Sequence, residues 1–189
     1  MVERAFWREA ASLVQMLSIE DRAELLSIVW GGQPRFTALY VELVKTLEKL
    51  GHAANAYCPI EALVPRNASI IDVETLKGLG KPGEPTLAIR SMNGSAIELP
   101  RPVITALVAE LRIAITQKPW PFFEHTDLLD FPGARSRQKV DLNAMLEDPD
   151  ALKGFFVRGK VAFLFDRYVA EQELSSMLLC IRDSNQEVV

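Results

Sequence analysis

The stretch that decides the reading is His125-Thr-Asp-Leu-Leu-Asp-Phe-Pro-Gly-Ala-Arg-Ser-Arg137. Its first half, within "FFEHTDLLDF", has the composition of a strand. It stops on Asp130, turns on Pro132-Gly133 and continues as the small, basic run Ala134-Arg135-Ser136-Arg137. Two readings compete. Asp-Phe-Pro-Gly makes an ordinary β-turn, with Pro and Gly where a turn favours them. It also has the wiring of a phosphate site: a carboxylate at a sheet's rim for a metal ion, and, three places on, a backbone N–H with no side chain in the way.

In P-loop nucleotidases a buried strand ends on an Asp that holds magnesium, directly or through water. In the GTPase form the pattern is Asp-x-x-Gly, and the loop beyond it is ordered by the γ-phosphate and released on hydrolysis. As a bare pattern Asp-x-x-Gly is weak. Its context here strengthens it: an apolar run, the motif, a polar loop, a helical stretch, then "SSMLLCI" (175–181), a continuous apolar run of the kind found in a covered strand. That order is the order of the third, switch and fourth elements of a GTPase domain. Other parts of such a site are not in these 189 residues. No Gly-x-x-x-x-Gly-Lys-Ser/Thr is present. Gly78-Leu-Gly-Lys-Pro-Gly83 puts a proline where the loop should enter a helix, Arg158-Gly159-Lys160-Val161 also fails, and no Asn/Thr-Lys-x-Asp reads guanine. The expectation is that this chain alone binds GTP too weakly to detect.

Upstream the chain changes character. Phe6, Ala10, Leu13, Val14 and Leu17 recur at helical spacing. Ser18 with Asp21 resembles a capping box opening a second helix, which Gly31-Gly32 stops. Pro34 suits the first turn of a third helix, ending at Gly51. Cys58 to Pro85 holds four prolines and reads as ordered but irregular. "TLAIR" and "SAIEL" around Asn93-Gly94 read as a hairpin. In "PVITALVAELRIAI" the first half suits a helical turn and "LVAELRIAI" alternates like a strand. After Gly133 the chain is mostly helical, interrupted around Pro149 and Gly159, with Arg158 to Glu173 the clearest helix. The expected fold class is α/β, a partial GTPase-like sheet with an N-terminal helical subdomain: residues 1–66 helical, 67–189 the α/β region carrying the Asp-x-x-Gly motif.

Composition narrows the partners. Hydrophobic residues make up 49% and charged residues 24%, enough for a packed core. The net charge of −4 argues against nucleic-acid binding driven by overall charge. No apolar run approaches the roughly 20 residues of a membrane span. The N-terminus is charged throughout and has no signal-peptide core, so a cytosolic location is expected. Cys58 and Cys180 lie far apart with no Cys-x-x-Cys, which suits two buried thiols.

Other residues carry weaker alternatives. His125 and Asp127 share one strand face and are conceivable metal ligands, but a hydrogen-bonded histidine is the plainer reading. Arg135 and Arg137 suit phosphate contacts, or solvated loop charges. Trp120, between two prolines, packs as a lid or meets a partner. The helix "KVAFLFDRYVAEQEL" places Val161, Phe165, Tyr168 and Val169 on one side for core packing, or for a groove on a partner. Ser176 and Cys180 have no His/Asp constellation in sequence, so nucleophilic catalysis is not indicated.

"LLSIVWGGQPRFTALYVELVKTLEKLGH", "SIIDVETL", "FFEHTDLLDFPGARSR" and "KVAFLFDRYVAEQELSSMLLCIRDSNQEV" together resemble the SrfC family of bacterial virulence factors, over nearly the whole chain. The motif itself resembles the Asp-Leu-Pro-Gly of dynamin-like GTPases. The resemblance implies a larger protein with an upstream P-loop segment, of which this chain is an internal piece. It implies Asp130 as the magnesium carboxylate, Gly133 at the γ-phosphate, and Arg135, Ser136 and Arg137 as the switch-like segment, with Mg2+ and GTP as cofactors. The alternative is an α/β module that binds protein partners through its helical part and takes no nucleotide.

Overall fold

A computed structural model describes residues 4–92, 94–114, 117, 119–126 and 151–173. Within it the first fifty residues form α1 (Arg4–Leu13), α2 (Ile19–Ser27) and α3 (Pro34–Lys49). The punctuation is local. The Ser18 hydroxyl oxygen accepts from the Asp21 backbone N–H at 3.1 Å, which satisfies one of the free donors at the start of α2. Gly31 and Gly32 take φ of 62° and 70° and reverse the chain, a left-handed pair that side chains resist. Pro34 then opens α3, where its missing N–H costs nothing.

Residues 58–85 are ordered without long elements, as the prolines imply. Short pieces of 3-10 helix at Ile60–Leu63, Arg66–Ala68 and Val73–Gly78 follow one another. The short strand β1 (Ala56–Tyr57) pairs antiparallel with β2 (Thr86–Ser91), and β2 with β3 (Ala96–Pro100), giving the order β1-β2-β3. The fold is mixed α/β. The hairpin register sets Leu87 opposite Leu99 and Ile89 opposite Ile97, so the core-facing residues of both strands share one side. Gly94 is not left-handed; a Cβ there would meet the Ser91 hydroxyl, which would have to turn away.

The next helix organises everything around it. α4 (Arg101–Leu107) is buried from Arg101 to Ala106, on all sides. A helix with no wet face must sit between layers. Val103 and Ala106 pack with Leu39 of α3, Leu76 and Leu79. Ile104 faces the sheet side, with Leu87, Ile89, Leu99, Ala62 and Ile70. The last helix, α5 (Ala151–Ala170), lies against this centre through Phe156 and Val157. Phe155 meets the Phe36 ring of α3 edge-on, with centroids 5.8 Å apart.

Several expectations change. "LVAELRIAI" forms no strand: α4 takes Leu107, and 108–114 carry no regular structure. "FFEHTDLLDF" does not begin as a strand: Pro121–Glu124 is a turn of 3-10 helix, opened by a proline, and its Asp127–Phe131 part lies outside the described residues. Gly159 does not interrupt α5; the helix runs through it, and nothing crowds its Cα. The face of α5 is also different. Phe165 and Val169 are exposed, and the covered stripe is Phe156, Val157, Lys160, Leu164 and Tyr168.

Candidate functional site

Asp130, Gly133, Arg135, Ser136 and Arg137 lie outside the described residues, as do Asp127, Ser176 and Cys180. The approach to them ends at His125 and Thr126, both exposed. Just before, Trp120 and Phe122 stack nearly parallel with centroids 5.9 Å apart, and Phe122 lies 4.4 Å from Phe123. Trp120 is exposed and lies on its own neighbours. Among the described residues no group of three His, Cys, Asp or Glu side chains is placed to hold a metal ion. Cys58 is a half-buried free thiol.

Two concave places stand out among the described residues. The larger is an open groove of about 690 Å³ between α2 and α3. Ala23, Pro34, Ala38 and Val41 supply its apolar surface, and Glu20, Glu24 and Glu42 its carboxylates. The two helices are held by the Lys45–Glu20 ion pair at 2.8 Å and, across the glycine turn, by Trp30, whose indole N–H donates to the Thr37 hydroxyl at 2.9 Å. The Lys45 ammonium holds the Glu20 carboxyl below its usual range. Glu42 behaves oppositely: burial pushes its carboxyl up.

The smaller, about 250 Å³, is lined by Glu74, Lys77, Gly78, Lys81, Glu84 and Arg101 among others. Its charges are largely engaged. Glu74 pairs with Lys77 at 2.8 Å and with Lys153 of α5, and these ammonium groups hold its carboxyl at about 2. Arg101 points inward. Its guanidinium donates to the carbonyls of Ala68 (2.9 Å), Glu61 (2.8 Å) and Val64 (3.2 Å). That fork ties the irregular 58–70 segment to α4 and leaves little of Arg101 for a ligand.

A third polar centre sits at the C-terminal end of α4. Lys160 Nζ donates to the carbonyls of Thr105 (2.7 Å) and Ala106 (3.2 Å), which have no partner within a helix that stops there. Burial pulls the Lys160 ammonium down to about 8. About two turns on along α5, Tyr168 donates its hydroxyl to Glu110 at 2.9 Å, and Glu110 also takes Arg112 at 2.6 Å.

Sequence reasoning passed over Arg101, Lys160 and the groove. Lys160 had a signal: it falls on the same helical stripe as Phe156, Leu164 and Tyr168, where a solvated lysine does not belong. Arg101 had a weaker one, a single charge between two prolines at the head of an apolar helical run.

Among the described residues no helix is long and apolar enough to cross a membrane. No curated protein and no solved structure matches the chain. One family model does, over residues 1–189, and the chain belongs to that family, described as "Putative bacterial virulence factor".

Proposed function

We propose that this chain is a GTPase-derived part of a larger bacterial factor of SrfC and dynamin-like type, and that it contributes the magnesium and γ-phosphate side of a nucleotide site. The observation that carries this is the pattern in the sequence: an apolar run ending on Asp130, Gly133 three places on, and Arg135, Ser136 and Arg137 behind. Asp130 would meet Mg2+, the Gly133 N–H the γ-phosphate of GTP, and the following segment the phosphate oxygens. On this reading the phosphate cradle and the guanine-reading residues would be supplied by another segment of the larger protein. The test is calorimetric titration of Mg2+ and GTP into the full-length protein. Asp130→Ala should lower the affinity at least about tenfold, the scale of one lost charge-assisted contact; an unchanged affinity overturns the reading.

A second reading has its own support. The carboxylate-lipped groove between α2 and α3 favours an α/β module that binds a protein partner without nucleotide. Partner binding that survives Asp130→Ala separates this reading from the first.

A further inference from the structure

The groove between α2 and α3 specifies the chemistry of its occupant. Its apolar surface, Ala23, Pro34, Ala38 and Val41, is small-sided and runs along both helices. Glu20 and Glu24 stand one helical turn apart on α2, and Glu42 stands across from them on α3. No lysine, arginine or histidine is among the residues that line it. Lys45 reaches over the rim to Glu20, while Glu24 and Glu42 make no ion pair among the described residues. Glu42 is half-buried, and its carboxyl is raised by burial with no cation opposing. A carboxylate that has lost water and gained no partner is stabilised by any cation brought to it.

We propose that this groove docks an amphipathic helix of a partner protein, with one or two aliphatic side chains on the apolar floor and flanking Lys or Arg side chains against Glu24 and Glu42. Helix-in-groove docking uses anchors at i, i+3 or i+4 and i+7, which suits a trough running between two helices. Nucleic acid and anionic lipid carry the wrong sign for a lip of carboxylates. The inference rests on the interaction reading above and is independent of Asp130.

The probe is a fluorescein-labelled helical peptide of leucine and lysine, with its leucines on one face, beside a leucine–glutamate counterpart. Fluorescence anisotropy with the intact chain at low salt should show binding of the first peptide and none of the second, with the affinity falling as salt rises. Ala38→Trp, which fills the trough, should abolish binding. Glu24→Gln with Glu42→Gln should weaken it roughly tenfold, while Glu9→Gln with Glu98→Gln, exposed carboxylates away from the groove, should leave it unchanged. Circular dichroism confirms that each variant is folded. Binding that survives Ala38→Trp, or falls equally in the Glu9/Glu98 variant, overturns the groove and leaves the interaction reading standing on another surface. No binding of the leucine–lysine peptide at all overturns the groove and removes the observation behind that reading.

Discussion

Lys160 of α5 donates to the Thr105 carbonyl of α4 at 2.7 Å, so one helix caps the end of another. A helix's last carbonyls have no partner of their own, and here the C-terminal end of a buried helix cannot turn to water. The ammonium satisfies two of these carbonyls and also complements the negative end of the helix dipole. The cost is burial of the charge, visible in its lowered pKa of about 8.

Replacing this lysine by methionine should therefore destabilise the chain by about 1–3 kcal/mol at pH 7, the scale of unsatisfied buried carbonyls. The pH dependence has a definite sign. The folded pKa of about 8 lies below the ordinary lysine value of 10.5, so from about pH 8 to 10.5 the unfolded chain binds more protons and the fold gains stability as pH rises. Lys160→Met lacks that titration. Urea midpoints measured from pH 7 to 10 should show the wild type gaining on the variant; parallel curves would contradict the assignment.

Arg101→Met should be more damaging, about 3 kcal/mol or more, because three carbonyls lose their donor at once. Arg101→Lys should recover only part of the loss, since one ammonium cannot reproduce a planar fork that reaches Ala68, Glu61 and Val64 together. Denaturant midpoints of the two variants test this, and equal midpoints would show that the fork geometry is unimportant.

Glu74 gives the acid limb. Lys153 and Lys77 hold its carboxyl at about 2, below the ordinary glutamate value of 4.5. A depressed carboxyl contributes stability above its unfolded pKa and loses it as pH falls through the folded one. Thermal midpoints of the wild type should fall between about pH 4.5 and 2 more steeply than those of Glu74→Gln. The same slope in both would place the acid sensitivity elsewhere.

Ser18→Ala removes the cap of α2 and should cost about 1 kcal/mol. Faster hydrogen exchange should be confined to the Asp21 and Arg22 amides and the first turn. Uniform change across the chain would mean that α2 does not open locally.

Much of the first hundred residues was legible because its signals are local. A Ser18 side chain can reach the Asp21 N–H, two glycines accept left-handed φ, and Pro34 begins a helix, whatever lies around them. The hairpin followed for the same reason, with Leu87 and Ile89 alternating in β2. The misreadings came where local pattern is ambiguous. Alternation in "LVAELRIAI" permits a strand, but a strand needs a neighbour to pair with, and 108–114 pair with none among the described residues. The apolar residues of α5 outnumber one face. Only tertiary contacts selected Leu164 and Tyr168 for burial and left Phe163 at 63% exposure.

By itself the amino-acid sequence determined the three N-terminal helices with their caps and stops, the irregular proline-rich passage, the hairpin, and the Asp130-x-x-Gly133 pattern on which the nucleotide reading stands. Those are matters of dihedral preference and of hydrogen bonds a few residues long. Tertiary structure alone decided that α4 is covered on every side, that Arg101 and Lys160 spend their charges on orphaned carbonyls, and that α2 and α3 part to leave carboxylates around an apolar trough. Each of these depends on groups tens of residues apart meeting in a place that water has left, where an unsatisfied charge or carbonyl is costly, and no short window of sequence encodes which groups will meet there.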